Sequence, residues 1–178
     1  MITFDREWPA DSLLLDSLLD RAFGPDRTNK SSYSLRSASN ALTDLSIMAR
    51  LDGELVGSVQ FWSISIVDML SEYSLPAVLL GPLAIDPDLQ GQGLGSELMR
   101  RALKMLDLGG YDRVLLVGDL EYYRRFGFER VMPRYISLPG RRDADRLLVR
   151  ERKDSLKSLP IVGRLEIAPC VADADFAA

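Results

Sequence analysis

No histidine occurs anywhere in the 178 residues, and cysteine occurs once, at Cys170. The missing imidazole excludes Ser-His-Asp and Cys-His machinery, which depend on it as a proton shuttle. It also excludes His-ligated zinc, copper or haem, and one thiol builds neither a thiolate cage nor an internal disulfide, so no metal site is expected. Long apolar runs are lacking too. Nothing approaches the ~20 residues of a membrane-spanning helix, and the opening Met1-Ile2-Thr3-Phe4-Asp5-Arg6-Glu7 has no secretory pattern. Nor is there a cationic surplus: Lys and Arg number 22 against 26 Asp and Glu, a net charge of −4. That balance argues against nucleic acid or an anionic membrane as partner and leans weakly toward a cationic substrate. What remains is ordinary. A content of 47% hydrophobic and 27% charged residues suits a globular domain, long enough to bury roughly 70% of the surface its unfolded chain exposes. A cytoplasmic location is the expectation, with Cys170 kept reduced. Proton chemistry is left to carboxylates, tyrosine, lysine, water or the substrate itself.

Along the chain, Ile2-Thr3-Phe4 reads as a short strand. Pro9 and Asp11 suit a first helical turn, and Leu13, Leu14, Leu18, Leu19, Ala22 and Phe23 recur at helical spacing until Gly24-Pro25 stops the helix. The polar, Ser-rich stretch 26–41 reads as loops with a second short helix. Two strands, 45–50 and 54–61, flank Asp52-Gly53, a favoured hairpin pair, and the second runs on through Ile64 and Ile66. After a polar break near Ser71-Glu72, the apolar stretch 77–85 is a strand interrupted by Gly81-Pro82. Proline cannot donate to a ladder, so this strand should be unpaired or bulged there. Leu94, Leu98, Ala102, Leu103 and Leu106 stripe a helix that Gly109-Gly110 ends. Residues 113–117 form a further strand, and Asp119 is placed to cap a short helix carrying Tyr122, Tyr123 and Phe126, with Gly127 at its C-terminal stop. Residues 128–132 begin another strand; 147–149 and 165–167 are strand candidates, and the end from Val171 should fray. The fold class is mixed α/β (α+β): a mainly antiparallel sheet flanked by helices.

The stretch that carries chemistry runs from Gly81 to Ser96: apolar strand, Asp86-Pro87 turn, glycine-rich loop, amphipathic helix. A helix start leaves backbone N–H groups without partners and carries positive dipole character. Gly91, Gly93 and Gly95 at that point let a phosphorylated ligand approach; a tight turn that happens to be glycine-rich is the plainer alternative. A Walker loop would need a lysine that Gly93-Leu94-Gly95-Ser96 lacks, and a dinucleotide fingerprint counted from Gly91 meets Ser96 where it needs glycine.

Gln90-Gly91-Gln92-Gly93-Leu94-Gly95 resembles the acyl-coenzyme A signature of the GNAT superfamily of N-acyltransferases, Q/R-x-x-G-x-G/A, matched at Gln90, Gly93 and Gly95. Tyr123-Arg124-Arg125-Phe126-Gly127-Phe128 resembles that family's Y-x-x-x-G-F element at the expected distance. The resemblance spans residues 1 to about 138, with 139–178 an extension expected to pack on the same domain. It implies that the amides of Gln90, Gly91, Gln92, Gly93, Leu94, Gly95 and Ser96 hold the pyrophosphate of acetyl-CoA, the co-substrate. It implies that Leu83, Ala84 and Ile85 offer their backbone to the pantetheine arm, in a slot opened where the bulged strand splays from 113–117, and that Tyr123 is the general acid at the departing thiolate. Adjacent Tyr122, about 100° around the helix, is the alternative; spacing to Gly127-Phe128 selects Tyr123, and a packing role for that ring is the plainer reading. One departure stands out: where many members carry asparagine, seven positions before this tyrosine, the chain has Leu116, and Asp119 is left either to substitute or to cap.

The implied activity is acetyl transfer from acetyl-CoA to a primary amine, on a small molecule or a peptide, by direct attack in a ternary complex. A non-catalytic acyl-CoA-binding module on the same fold is the alternative. The base is unassigned: Glu72, Asp68 and water are the candidates. The acceptor pocket is expected from residues around 24–40, the segment near 66–76 and the region after Pro133, all irregular in sequence. Sheet edges and the apolar C-terminal strands leave a homodimer open.

Overall fold

The structure, a computed structural model, describes residues 1–178 except 72, 132–134, 140–143, 154, 156 and 169–178. Glu72, Cys170 and the end from 171 therefore lie outside the described residues. The strands are β1 (Ile2–Arg6), β2 (Ile47–Leu51), β3 (Glu54–Asp68), β4 (Ser74–Ile85), β5 (Arg113–Val117), β6 (Glu129–Arg130), β7 (Ile136–Ser137), β8 (Leu147–Glu151) and β9 (Gly163–Ile167). The α-helices are α1 (Ser12–Phe23), α2 (Leu94–Leu108) and α3 (Leu120–Tyr123). They form one sheet in the order β1-β2-β3-β4-β5-β8-β6, with β9 pairing the far half of β3 and β7 pairing β9. All pairs are antiparallel except β4–β5 and β7–β9.

Helix α2 lies on one face. Its stripe of Leu94, Leu98, Met99, Ala102, Leu103 and Leu106 is buried against Val56, Val59, Phe61, Val78, Leu80, Val114 and Leu116. Helix α1 packs on Met48, Leu55 and Ala84 through Leu15, Leu18 and Leu19. The β2–β3 turn follows from composition: Asp52 and Gly53 both take positive φ, 50° and 94°, which a two-residue hairpin of matching twist requires.

The stretch 26–41 departs from the expected second helix. It forms three 3-10 turns, Pro25–Asn29, Ser31–Leu35 and Ala38–Asn40. No apolar stripe recurs there to support an α-helix; tertiary bonds hold it instead. Buried Asn40 donates to Leu35 O at 2.9 Å and to Ser63 O on β3 at 2.8 Å, and accepts from Ser37 N at 2.8 Å. The strand expected over 128–132 shortens to Glu129–Arg130.

Strand β4 positions everything else. Val59 pairs with Leu83 but Phe61 with Leu80, so Gln60 alone faces both Gly81 and Pro82, a two-against-one bulge. On its other edge β4 pairs with β5 only at Val78–Val114 and Leu79–Leu115. Beyond Leu79 the two strands part. Among the described residues no helix is long and apolar enough to cross a membrane.

Candidate active site

The parted strands open a cavity of about 320 Å³, walled by Leu80 to Leu83 of β4, by Leu116 and Val117 of β5, and by Tyr122 and Tyr123. Leu83, Ala84 and Ile85 pair with Val59, Ser58 and Gly57 of β3 on one edge and have no β5 partner on the other. Their free edge is therefore a run of backbone donors and acceptors with no ladder to join. Ala84 points its side chain into the core under α1, while Leu83 and Ile85 pack from the α2 side. The bulge itself is braced: Trp62 Nε1 donates to Gly81 O at 2.7 Å.

At the end of β4 the chain turns through Asp86, whose carboxylate accepts from Asp88 N and pairs with Arg21 at 2.9 Å, a turn-forming role. The loop that follows reaches α2 at Leu94. Glu97 N is the first amide to find its helical carbonyl, Gly93 O, at 3.0 Å; the amides of Leu94, Gly95 and Ser96 come before any such carbonyl and face outward from the helix start. Gly91 and Gly93 have φ of 76° and 88°, a backbone state costly for any residue with a Cβ, and the space around them is open. Gly95 serves differently: a Cβ there would sit 3.2 Å from Tyr122 Oη. Gln90 turns its side chain back, donating to Ile85 O at 3.2 Å, Gln92 donates to Asp88 O at 3.3 Å, and the Leu94 side chain is buried. Of the loop residues singled out by sequence, Gln90 also turns its backbone amide inward, donating to Pro87 O at 3.4 Å, which takes it away from the pyrophosphate role expected of it; Leu94 offers the outward face only its backbone.

Asp119 caps α3 by accepting from Glu121 N at 3.1 Å and also lines the cavity, so the capping and lining readings both apply. The two tyrosine rings meet edge to face, centroids 4.9 Å apart. Tyr123 also packs edge-on to Phe128 at 5.9 Å and against Gly118, where a Cβ would overlap its ring. Burial, helped by the neighbouring Tyr122, pushes the Tyr123 phenol up to about 12. Position thus separates the pair: Tyr122 Oη reaches toward Gly95 at the loop, and Tyr123 sits on the floor where β4 and β5 part.

Of the candidate bases, Glu72 lies outside the described residues and Asp68 is not brought to the cavity. Asp68 lies at the exposed β3–β4 tip, where Leu70 N and Ser71 Oγ donate to it at 2.9 and 2.8 Å and hold its carboxyl below the usual range. It does not line the cavity, and Asp119 is the one carboxylate that does among the described residues. The opposite wall is made by Phe23, Lys30, Ser32, Tyr33 and Arg36, from the end of α1 and the 3-10 turns, with Arg146 beside them. All but Phe23 fall in the 24–40 stretch and the region after Pro133 expected to build the acceptor pocket, while nothing from 66–76 lines the cavity among the described residues. No period or motif marks these residues; the bonds of Asn40, the Ala41–Trp62 bridge and the burial of Leu35 against β3 bring the 3-10 turns to the slot. No cluster of three or more metal-ligating side chains occurs among the described residues.

A model of the acetyltransferase (GNAT) family matches residues 13–128. The chain is 38% identical over 124 residues to YhbS of Escherichia coli strain K12, an uncharacterised N-acetyltransferase, covering 69% of this chain and 71% of that protein. Among solved structures, the fold matches the E. coli YhbS crystal structure in complex with CoA with a TM-score of 0.74 and 28% identity, over 94% of this chain and 89% of that one. It also matches a GNAT family acetyltransferase from Brucella melitensis in complex with acetyl-CoA, with a TM-score of 0.68, over 94% and 96% of the two chains; at 22% identity that likeness concerns the fold alone.

Proposed function

The chain belongs to the GNAT family of acetyltransferases, and on that footing we propose that it transfers the acetyl group of acetyl-CoA to a primary amine by direct attack in a ternary complex. The observation that carries the reading is the parting of β4 from β5 beyond Leu79, with the loop amides at its mouth and Tyr123 on its floor. The outward amides of Leu94, Gly95 and Ser96, with the backbone of Gly91, Gln92 and Gly93 beside them, receive the pyrophosphate, whose charge suits the positive end of α2. The pantetheine arm lies along the free edge of Leu83, Ala84 and Ile85 as an added strand, which brings the thioester carbonyl to an amide donor of β4.

The amine nitrogen forms a bond to the thioester carbon, and the C–S bond breaks as the tetrahedral intermediate collapses. Sulfur gains a proton or a hydrogen bond; nitrogen loses one proton. A phenol held at about 12 keeps its proton across the neutral range. It exceeds the ~8.5 of a free thiol, so Tyr123 serves the departing thiolate chiefly as a hydrogen-bond donor. With Asp68 at the hairpin tip, Glu72 and water are left as the routes by which the amine proton departs. Holding both reactants in one slot supplies much of the acceleration.

The test is release of free CoA from acetyl-CoA against a panel of amines. Amine-dependent release, with both substrates required together, is the expected result. Acetyl-CoA binding without release for any amine indicates a binding module instead.

A further inference from the structure

The arginines buried in this fold are nearly all neutralised. Arg27 pairs with Asp16 and Asp20 at 2.9 and 2.7 Å, Arg50 with Asp5 and Asp11, and Arg113 with Glu151 at 2.8 Å. Arg36 is the exception among the described residues. Its Nε and Nη1 are shut off from solvent and have no hydrogen-bond partner. Nη2 makes only a long bond, 3.4 Å, to Ser32 Oγ, and the guanidinium lies over the Tyr33 ring at 4.2 Å. No carboxylate of the described residues pairs with it. Burial pulls its pKa down to about 10, against the opposing influence of Tyr33, so it stays charged at neutral pH.

Its place in the fold gives this charge a use. Arg36 follows the Ser31–Leu35 turn in extended backbone and crosses to the β4 bulge, where Nη2 lies 3.6 Å from where a Cβ on Gly81 would be. It lines the cavity from the side opposite β5, with Lys30 and Arg146 adding two more cations to the lining against one carboxylate, Asp119. A chain of net charge −4 thus presents a cationic wall at this point. A planar guanidinium with unspent N–H groups beside a cavity matches the oxyanion of a ligand, and either of its two donor forks includes an N–H that has no partner in the free protein.

We infer that the acceptor is a small amine carrying an oxyanion, of amino-acid type, and that Arg36 recognises that oxyanion while the amine faces the thioester. The inference rests on reading the slot as an acetyl-transfer site. It replaces the weak lean toward a cationic acceptor taken from overall charge: among the described residues the cavity lining holds Lys30, Arg36 and Arg146 against Asp119 alone. Carboxylate and phosphonate share the recognising chemistry, and the assay separates them.

CoA release is measured with the common amino acids, with their carboxamides, and with the aminophosphonate of the best acceptor. The expected result is a kcat/KM at least about a hundredfold higher for the acid, or for the phosphonate, than for the amide, because a site built around a buried charge rejects a ligand that leaves it unpaired. Arg36→Met abolishes that preference by raising KM for the acid far more than for the amide, and leaves acetyl-CoA affinity within about twofold; Arg36→Lys restores part of it. Thermal melts with the N-acetyl amino acid give a readout that needs no turnover: the ligand raises the Tm of the wild-type chain and not that of Arg36→Met. An amide used as well as its acid, or Arg36→Met slowing both alike, overturns the inference. Absence of CoA release with every amine overturns the transfer reading instead, and the melts with N-acetyl amino acid then decide the role of Arg36 on their own.

Discussion

The two walls of the slot are built from different materials. The coenzyme wall, from Leu83 to Ser96, presents backbone: strand edge, glycine loop and helix start, with Ala84 and Leu94 spending their side chains on the core. The facing wall, from Phe23 to Arg36, presents side chains on short 3-10 turns that a single buried amide, Asn40, fastens to β3. A backbone site takes any chain that supplies the right dihedrals. A side-chain site depends on which residues happen to stand there. On the proposed reading, cofactor use and acceptor choice are separable in this molecule, the first set by conformation and the second by charge.

The largest expected effect lies on the floor the two walls share. Tyr123→Phe should lower kcat about a hundredfold while acetyl-CoA affinity, by calorimetry, stays put; an unchanged kcat removes the tyrosine from the chemistry. Next, Gly93→Val forces a Cβ onto a φ of 88° and should weaken acetyl-CoA binding by roughly tenfold or more, leaving the acceptor KM alone. If the acceptor KM moves equally, the walls are not separate. The converse is Asn40→Ala, which strips four hydrogen bonds from a buried site. Urea unfolding should register a loss of roughly 1–3 kcal/mol, and the acceptor KM should rise more than the coenzyme Kd. The smallest effect concerns pH. Burial lifts Tyr123 from its ordinary 10 to about 12, so above pH 10 the unfolded chain gives up this proton first and folding stability declines as pH rises toward 12. Below 10 that contribution is fully present. Tyr123→Phe should flatten the decline, measured as the difference in unfolding free energy between the two chains across that window.

The coenzyme wall was legible because its causes are local. Gly91 and Gly93 are glycine for their own φ, the Asp52-Gly53 turn for its own twist, and the α2 stripe for its own period. Gly81-Pro82 announced the bulge, since proline cannot join the ladder. The facing wall was legible only as a stretch, 24–40, and not residue by residue, because its cause is distant: Arg36 owes its burial to a bulge 45 residues later in the chain, and the stretch 26–41 has no period from which to single out any side chain. Asp68 misled for a related reason. Lying just before the apolar strand in sequence, it is carried by the 15-residue β3 to the far tip of the hairpin, where its carboxylate closes a turn. Tyr122 and Tyr123 illustrate the limit of spacing. It ranks one above the other, but only packing shows that both line the cavity, one against the loop and one against the floor.

The most direct test of a slot with a backbone wall for the coenzyme is a crystal structure of the acetyl-CoA complex. The pantetheine should run along Leu83 to Ile85 on the edge away from β3, with the pyrophosphate on the amides of Gly91 to Ser96 and the acetyl group directed toward the Tyr123 and Arg36 side of the cavity. A coenzyme seated elsewhere, or β4 and β5 paired beyond Leu79 with the coenzyme bound, contradicts it.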